Sequence, residues 1–199
     1  MHAPRTTHLH IVKRIFRYLQ CPLQFGLQLR RASSPSVIVA NLDTDWAGYK
    51  DSCRSMIGYS VFFGPYLISW CSKKQPTISM SSAEVEHRAI AYTVAKTIWI
   101  CKLLSNPGIH LSSPIKVYCD NNSASYIAIN PAQHDCSKHI AVDYHFVHEH
   151  VAHRDLVVCY IPTKFQTADI FTKGLSSKFD FFKDNLLIDS SLHISHPNG

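Results

Sequence analysis

The sequence predicts an α/β domain built on a mixed five-stranded sheet, with an antiparallel meander at one side and parallel strands at the other. Three observations carry this expectation. Residues 37–70 hold three β-branched or aromatic runs in succession. From Ser81 to Leu104 the apolar period becomes helical, and beyond that point short apolar runs alternate with helical stretches. Successive β runs joined by short turns pair antiparallel, whereas strands separated by helices pair parallel through right-handed crossovers.

Taken in order, Ile11, Ile15, Phe16 and Leu19 fall at helical spacing with Lys13, Arg14 and Arg17 between them, a short basic amphipathic helix over residues 8–19. Cys21-Pro22 stops it, and the small, polar run Arg30 to Pro35 is a linker, which places a boundary near residue 35. Val37 to Leu42, Tyr59 to Phe63 and Leu67 to Trp70 are the strands of the meander, the last two joined by a turn at Gly64-Pro65-Tyr66. Ser81 and Glu84 form an S-x-x-E capping box that opens the long helix, and Asn106-Pro107-Gly108 ends it. Ile115 to Cys119 is a fourth strand, residues 122–129 and 140–152 are two helices, and Leu156 to Ile161 is a fifth strand stopped by Pro162. Thr167 to Lys173 opens a last helical segment.

Composition fits such a domain. The chain has 199 residues, 46% hydrophobic and 17% charged, with 7 Gly and 10 Pro, which excludes disordered, collagen-like and low-complexity classes. No run approaches the roughly 20 apolar residues of a membrane span, and MHAPRTTHLH lacks a secretory signal's apolar core, so the expectation is a chain that is neither exported nor membrane-bound. Seven scattered Cys without C-x-x-C spacing fit reduced thiols in the cytoplasm or nucleus. The net charge of +6 has an address: residues 1–42 carry Arg5, Lys13, Arg14, Arg17, Arg30 and Arg31 and no acid, while the remaining 14 basic and 14 acidic residues cancel.

Two predicted strands run into an acid, Asp43 after VIVANL and Asp120 after IKVYC. If those strands are neighbours, the two carboxylates converge at the rim of the sheet, where open α/β sheets bind ligands. Glu86 stands in the first turns of the long helix, where Glu84 already serves the capping box, and Asp169 lies beyond the fifth strand among small and apolar residues. Four acids at element ends with few bases nearby point to a shared hard cation, Mg2+ or Mn2+. Asp43 is favoured over Asp45, and Glu86 over Glu84, with the second of each pair left as the alternate. The thirteen His raise the question of zinc, but His148-Glu149-His150-Val151-Ala152 lacks the second His of H-E-x-x-H, and no Cys pair is nearby.

Ordered motifs sharpen the reading. Asp43-x-Asp45-Trp-Ala-Gly, Arg54-Ser-x-x-Gly58-Tyr, Ile68-Ser-Trp-x-Ser-Lys-Lys-Gln75, Ser81-Ser-Ala-Glu-x-Glu86, Cys119-Asp-Asn121, Lys138-His-Ile140, His145-Phe146 and Ala168-Asp-Ile-x-Thr-Lys173 occur in sequence. Together they resemble the ribonuclease H region of copia-type LTR-retrotransposon Pol polyproteins, over roughly residues 8–188. Lys13-Arg-Ile-Phe-Arg-Tyr-Leu19 resembles the tail of the reverse transcriptase that precedes this region in the family, whose polymerase acids the chain lacks. The resemblance implies three parts: a basic remnant and linker over 1–35, a ribonuclease H-like domain over 36–175, and a C-terminal helix and tail over 176–199.

The resemblance also implies that Asp43, Glu86, Asp120 and Asp169 are the catalytic, metal-holding acids, and that two Mg2+ ions, or Mn2+, serve hydrolysis of the RNA strand of an RNA–DNA hybrid. Lys73, Lys74 and Gln75, expected in a loop before the long helix, and Asn121 are the candidates for backbone contacts. The implied partners are the hybrid and the reverse transcriptase portion of the same polyprotein, with no membrane, in a cytoplasmic virus-like particle or the nucleus. One departure stands out. The family's relatives carry a His between the fifth strand and the last acid, and residues 162–168 hold none. The competing reading is a decayed copy that keeps the fold as an inert or nucleic-acid-binding domain. An integrase-type order of acids would end in Glu, and an exonuclease would open on Asp-x-Glu; this chain does neither.

Overall fold

The computed structural model describes residues 3, 5–20, 26–27, 36–49, 52–79, 81–123, 126, 138–173 and 188–189. In chain order these form α1 (Thr6–Gln20), β1 (Gly26–Leu27), β2 (Ile38–Tyr49), β3 (Arg54–Phe63), β4 (Tyr66–Lys74), α2 (Ser82–Ser105), β5 (Ile115–Cys119), α3 (Lys138–Ala152), β6 (Leu156–Tyr160) and β7 (Ile188–Asp189). The main sheet has the order β4-β3-β2-β5-β6. Its β2–β3 and β3–β4 pairs are antiparallel and its β2–β5 and β5–β6 pairs parallel, the mixed sheet that the run pattern predicts. No helix among the described residues is long and apolar enough to cross a membrane.

Local chemistry sets the element ends. Gly64, at φ 56°, supplies the left-handed residue of the β3–β4 turn, and its N–H is bonded to Val37 O at 2.8 Å. Ser81 caps α2 by accepting from Glu84 N at 3.2 Å, and the Glu84 carboxylate pairs with Arg88 one turn later at 2.8 Å. Ala89, Ile90, Ala91 and Val94 turn inward from α2 onto Ile38, Ala40 and Leu42 of β2 and Val117 of β5, and Val147 of α3 joins the same core. Burying each of the Val, Ile and Leu side chains contributes about 1.5–3 kcal/mol.

Three expectations need correction. Asp43 does not end its strand: β2 continues to Tyr49, antiparallel to β3, through an irregularity between Asp45 and Tyr49. The rim at Asp43 arises because the parallel ladder with β5 stops at Asn41↔Tyr118. Lys73 and Lys74 are not in a loop but complete β4, opposite Ile57 and Met56. Lastly, Gly26–Leu27 and Ile188–Asp189, expected in linker and tail, form a two-stranded antiparallel ladder. A short 3-10 turn, Thr163–Phe165, precedes the segment opened by Thr167, which takes another, Thr167–Phe171. The helix expected over 122–129 lies mostly, and the C-terminal helix wholly, outside the described residues.

Gly58 lets the second of these turns lie on the sheet. It is the cross-strand partner of Asp43, and a Cβ there would stand 2.8 Å from both Phe171 Cβ and Thr172 Cγ2 and 3.0 Å from the Ala168 carbonyl oxygen. Replacement by Val therefore forces the turn away, and we expect Gly58→Val to cost about 1–3 kcal/mol of stability, read from the urea midpoint. An unchanged midpoint would show that the turn does not rest on this glycine.

Candidate metal centre

Neighbouring residues of β2 serve opposite faces of the sheet. Asp43, on one face, accepts a hydrogen bond from the Thr172 hydroxyl and an ion pair from Lys173 Nζ at 3.2 Å. Thr44, on the other, donates to Glu86 Oε2 at the start of α2. Asp120, one residue past β5, accepts from Thr163 Oγ1 at 2.9 Å. Asp169 sits in the 3-10 turn whose cap is Gln166, a fully buried side chain that accepts from Ala168 N at 3.2 Å. Asp43, Asp120 and Asp169 each offer an oxygen within 4.8 Å of the others. Glu86 stands outside that trio but lines the same cleft of about 350 Å³, together with Asp43, Thr44, Trp46, Ser82, Asp120, Asn121, Asn122 and Lys173.

The local backbone separates Asp43 from its alternate. At the irregularity in β2, Ala47 takes φ 53°, held by a bond from its N–H to Ser55 Oγ at 3.1 Å. Asp45 folds back over Gly48, so close that a Cβ on that glycine would meet Asp45 Oδ2 at 2.0 Å. Trp46 is left half exposed at the lip of the cleft, its indole N–H toward Ser79 O. The second alternate, Glu84, is taken by Arg88.

Burial governs the electrostatics of these acids. Burial raises the Glu86 carboxyl to about 8, with the Thr44 hydrogen bond opposing and Asp120 and Asp43 adding repulsion. Burial likewise raises Asp43 to about 6 against the Thr172 bond and Lys173. Glu86 Oε1 is buried with no hydrogen-bond partner. An all-oxygen donor set, mutually repelling and including an orphaned buried oxygen, fits a hard divalent cation such as Mg2+ or Mn2+. Part of that role is already filled: Lys173 Nζ lies 3.2 Å from Asp43 Oδ1 and 2.9 Å from Asp169 Oδ1.

Of the expected backbone contacts, Asn121 lines the cleft, whereas Lys73 and Lys74 do not. Lys73 is exposed, its ammonium over the Tyr92 ring. Gln75 is 2% exposed, donating to Val85 O and accepting from Ser79 Oγ, so its amide braces the approach to α2. Sequence reasoning gave no role to Thr44, Thr163, Thr172, Trp46 or Lys173. Only Lys173 had a usable signal, its i,i+4 spacing from Asp169. Among the described residues, no other group of His, Cys, Asp or Glu gathers as metal ligands do.

A mixed sheet of this order, with acids converging where its parallel ladder ends, defines a ribonuclease H-like domain. Solved structures agree on the fold: the N-terminal RNase H domain of a Mycobacterium tuberculosis protein superposes with a TM-score of 0.51 over 69% of this chain and 91% of that one, at 11% identity. LC11-RNase H1 from compost superposes at 0.52 over 68% of this chain and 92% of that one, at 13% identity. The sequence then places the chain more narrowly. It is 44% identical over 88% of its length to the Retrovirus-related Pol polyprotein from transposon RE1 of Arabidopsis thaliana, and 35% identical over 91% to that from transposon TNT 1-94 of Nicotiana tabacum. The chain is homologous to a segment of these transposon Pol polyproteins, and it spans 12% and 14% of their respective lengths. No protein-family model matches it.

The raised carboxyls set a sign. Because folded Glu86 holds its proton up to about 8 while an unfolded Glu releases it near 4.5, the folded state binds more protons between those values. Stability of the metal-free protein is therefore full below about pH 4.5, as far as Glu86 contributes, and falls as pH rises toward 8. Thermal melts of metal-free wild type and Glu86→Gln across this window should show a shallower decline in the variant. Parallel curves would refute the assignment.

Proposed function

We propose that this domain hydrolyses the RNA strand of RNA–DNA hybrids in a divalent-metal-dependent reaction, within the reverse transcription of a retrotransposon. The observation that carries the reading is the convergence of the Asp43, Asp120 and Asp169 carboxylates, with Glu86 lining the same cleft. These four would hold Mg2+, or Mn2+, which when bound supplies an activated water and stabilises the leaving 3′ oxygen.

The protein's own contribution is to hold that donor set. Thr172, Thr163 and Thr44 each fix one carboxylate by donating to one of its oxygens. Asn121 and Trp46 at the cleft are placed to meet the sugar-phosphate backbone, and Lys73 and Lys74 add charge at the end of β4. Choice of the RNA strand rests on the 2′-hydroxyl and the shape of the hybrid. Residues 36–175 are the proposed nuclease unit, and the basic segment before them joins it to the reverse transcriptase part of a polyprotein, the two working together in the particle or nucleus.

The test is incubation of the chain with a labelled RNA–DNA hybrid in Mg2+ or Mn2+ beside Asp120→Asn. Cleavage of the RNA strand to 5′-phosphate and 3′-hydroxyl ends, slowed by roughly 10³-fold or more in the variant, is the expected outcome. An intact hybrid in both metals would instead support the inert, decayed reading.

A further inference from the structure

We propose that the Lys173 ammonium is a built-in stand-in for a cation: it neutralises Asp43 and Asp169 in the metal-free protein, and uptake of a divalent ion by these carboxylates would displace it. The inference rests on the metal-dependent reading above and deepens it.

The geometry is specific. Lys173 Nζ contacts Asp43 Oδ1 and Asp169 Oδ1 at 3.2 and 2.9 Å, two carboxylates whose side chains are each 3% exposed. A single positive charge thus lies between two oxygens of the only gathered set of acids among the described residues. Its attachment is local: Lys173 follows Asp169 by four residues, and its backbone N–H is bonded to Asp169 O at 2.9 Å. The neighbouring Thr172 hydroxyl holds the other oxygen of Asp43. One short segment therefore delivers both an acid and its counter-ion to β2. The Lys173 side chain is 39% exposed and lines the mouth of the cleft, so the ammonium has a path to water without any backbone rearrangement. A lysine is a flexible point charge without Arg's rigid bidentate fork, which suits a contact made to be given up.

Two like charges brought together without a cation repel, and a resident ammonium relieves that repulsion while competing with any incoming ion. Removing it has opposite effects on the two states. Lys173→Met should melt at a lower temperature than wild type when metal-free, yet bind Mn2+ more tightly, by about tenfold or more in titration calorimetry. Lys173→Arg, which keeps the charge, should bind Mn2+ as wild type does.

Wild type supplies a measurement that does not depend on the Met variant folding. With saturating Mn2+, the acetylation rate of Lys173, followed by mass spectrometry, should rise relative to Lys73, because a displaced ammonium loses its two carboxylate partners. Unchanged or weaker Mn2+ binding by Lys173→Met overturns the proposal, as does an acetylation rate that bound Mn2+ leaves unaltered; both leave the nuclease reading standing. Absence of Mn2+ binding in wild type and variant alike would sink both.

Discussion

The structure depends on holding like charges together. Three carboxylates within 4.8 Å of one another, two of them almost fully buried, repel strongly wherever water is excluded. A fold tolerates such a cluster only by protonating the acids, hydrogen-bonding them or placing positive charge among them, and all three devices are present. Asp43 and Glu86 have raised carboxyls, three threonine hydroxyls donate into the site, and Lys173 spans Asp43 and Asp169. The same arrangement of acids is what a hard cation would be drawn to.

The mixed sheet makes the gathering possible. Its parallel half stops at Asn41 while its antiparallel half runs on to Asp45, so β2 carries Asp43 past the last rung of the β5 ladder while β3 still supports it. Asp120 follows β5 directly into the opened space. Alternation along β2 lets one strand serve both faces: Asp43 meets the 3-10 segment on one side, and Thr44 reaches α2 on the other. Gly58, opposite Asp43, removes the side chain that would keep Phe171 and Thr172 away. Sheet topology, one missing Cβ and a capped helix start together define the cleft.

Charge is distributed unevenly along the chain. Six basic residues without an acid precede Asp43, and the rest of the chain is neutral. α1 carries half of that excess, Lys13, Arg14 and Arg17, and none of its residues is buried, so its apolar and basic faces add nothing to the core described here. The attraction for a phosphate backbone that the proposed function requires would therefore come from local groups beside the cleft, with overall charge contributing through the N-terminal segment.

Much of this was legible in the residues. Period changes at Ser81 and after Leu104 marked the helix and strand order, the short Gly64-Pro65 turn implied the meander, and the S-x-x-E box located the start of α2. The four acids stand out in the sequence because they fall at predicted element ends without local duties, although Asp43 lies inside β2. What the chain alone determined, then, is the order and type of elements and the chemistry available at their ends, since these follow from propensity, period and capping over a few neighbouring residues. Tertiary structure decided the rest: that Asp45 folds back over Gly48 while Asp43 faces the cleft, that Gln75 is a buried brace, that residues 26–27 pair with 188–189, and that Lys173 sits between Asp43 and Asp169. Each of these depends on register, a bulge or a contact between distant segments, and such long-range choices are settled by what packs against what, which no local window of sequence contains.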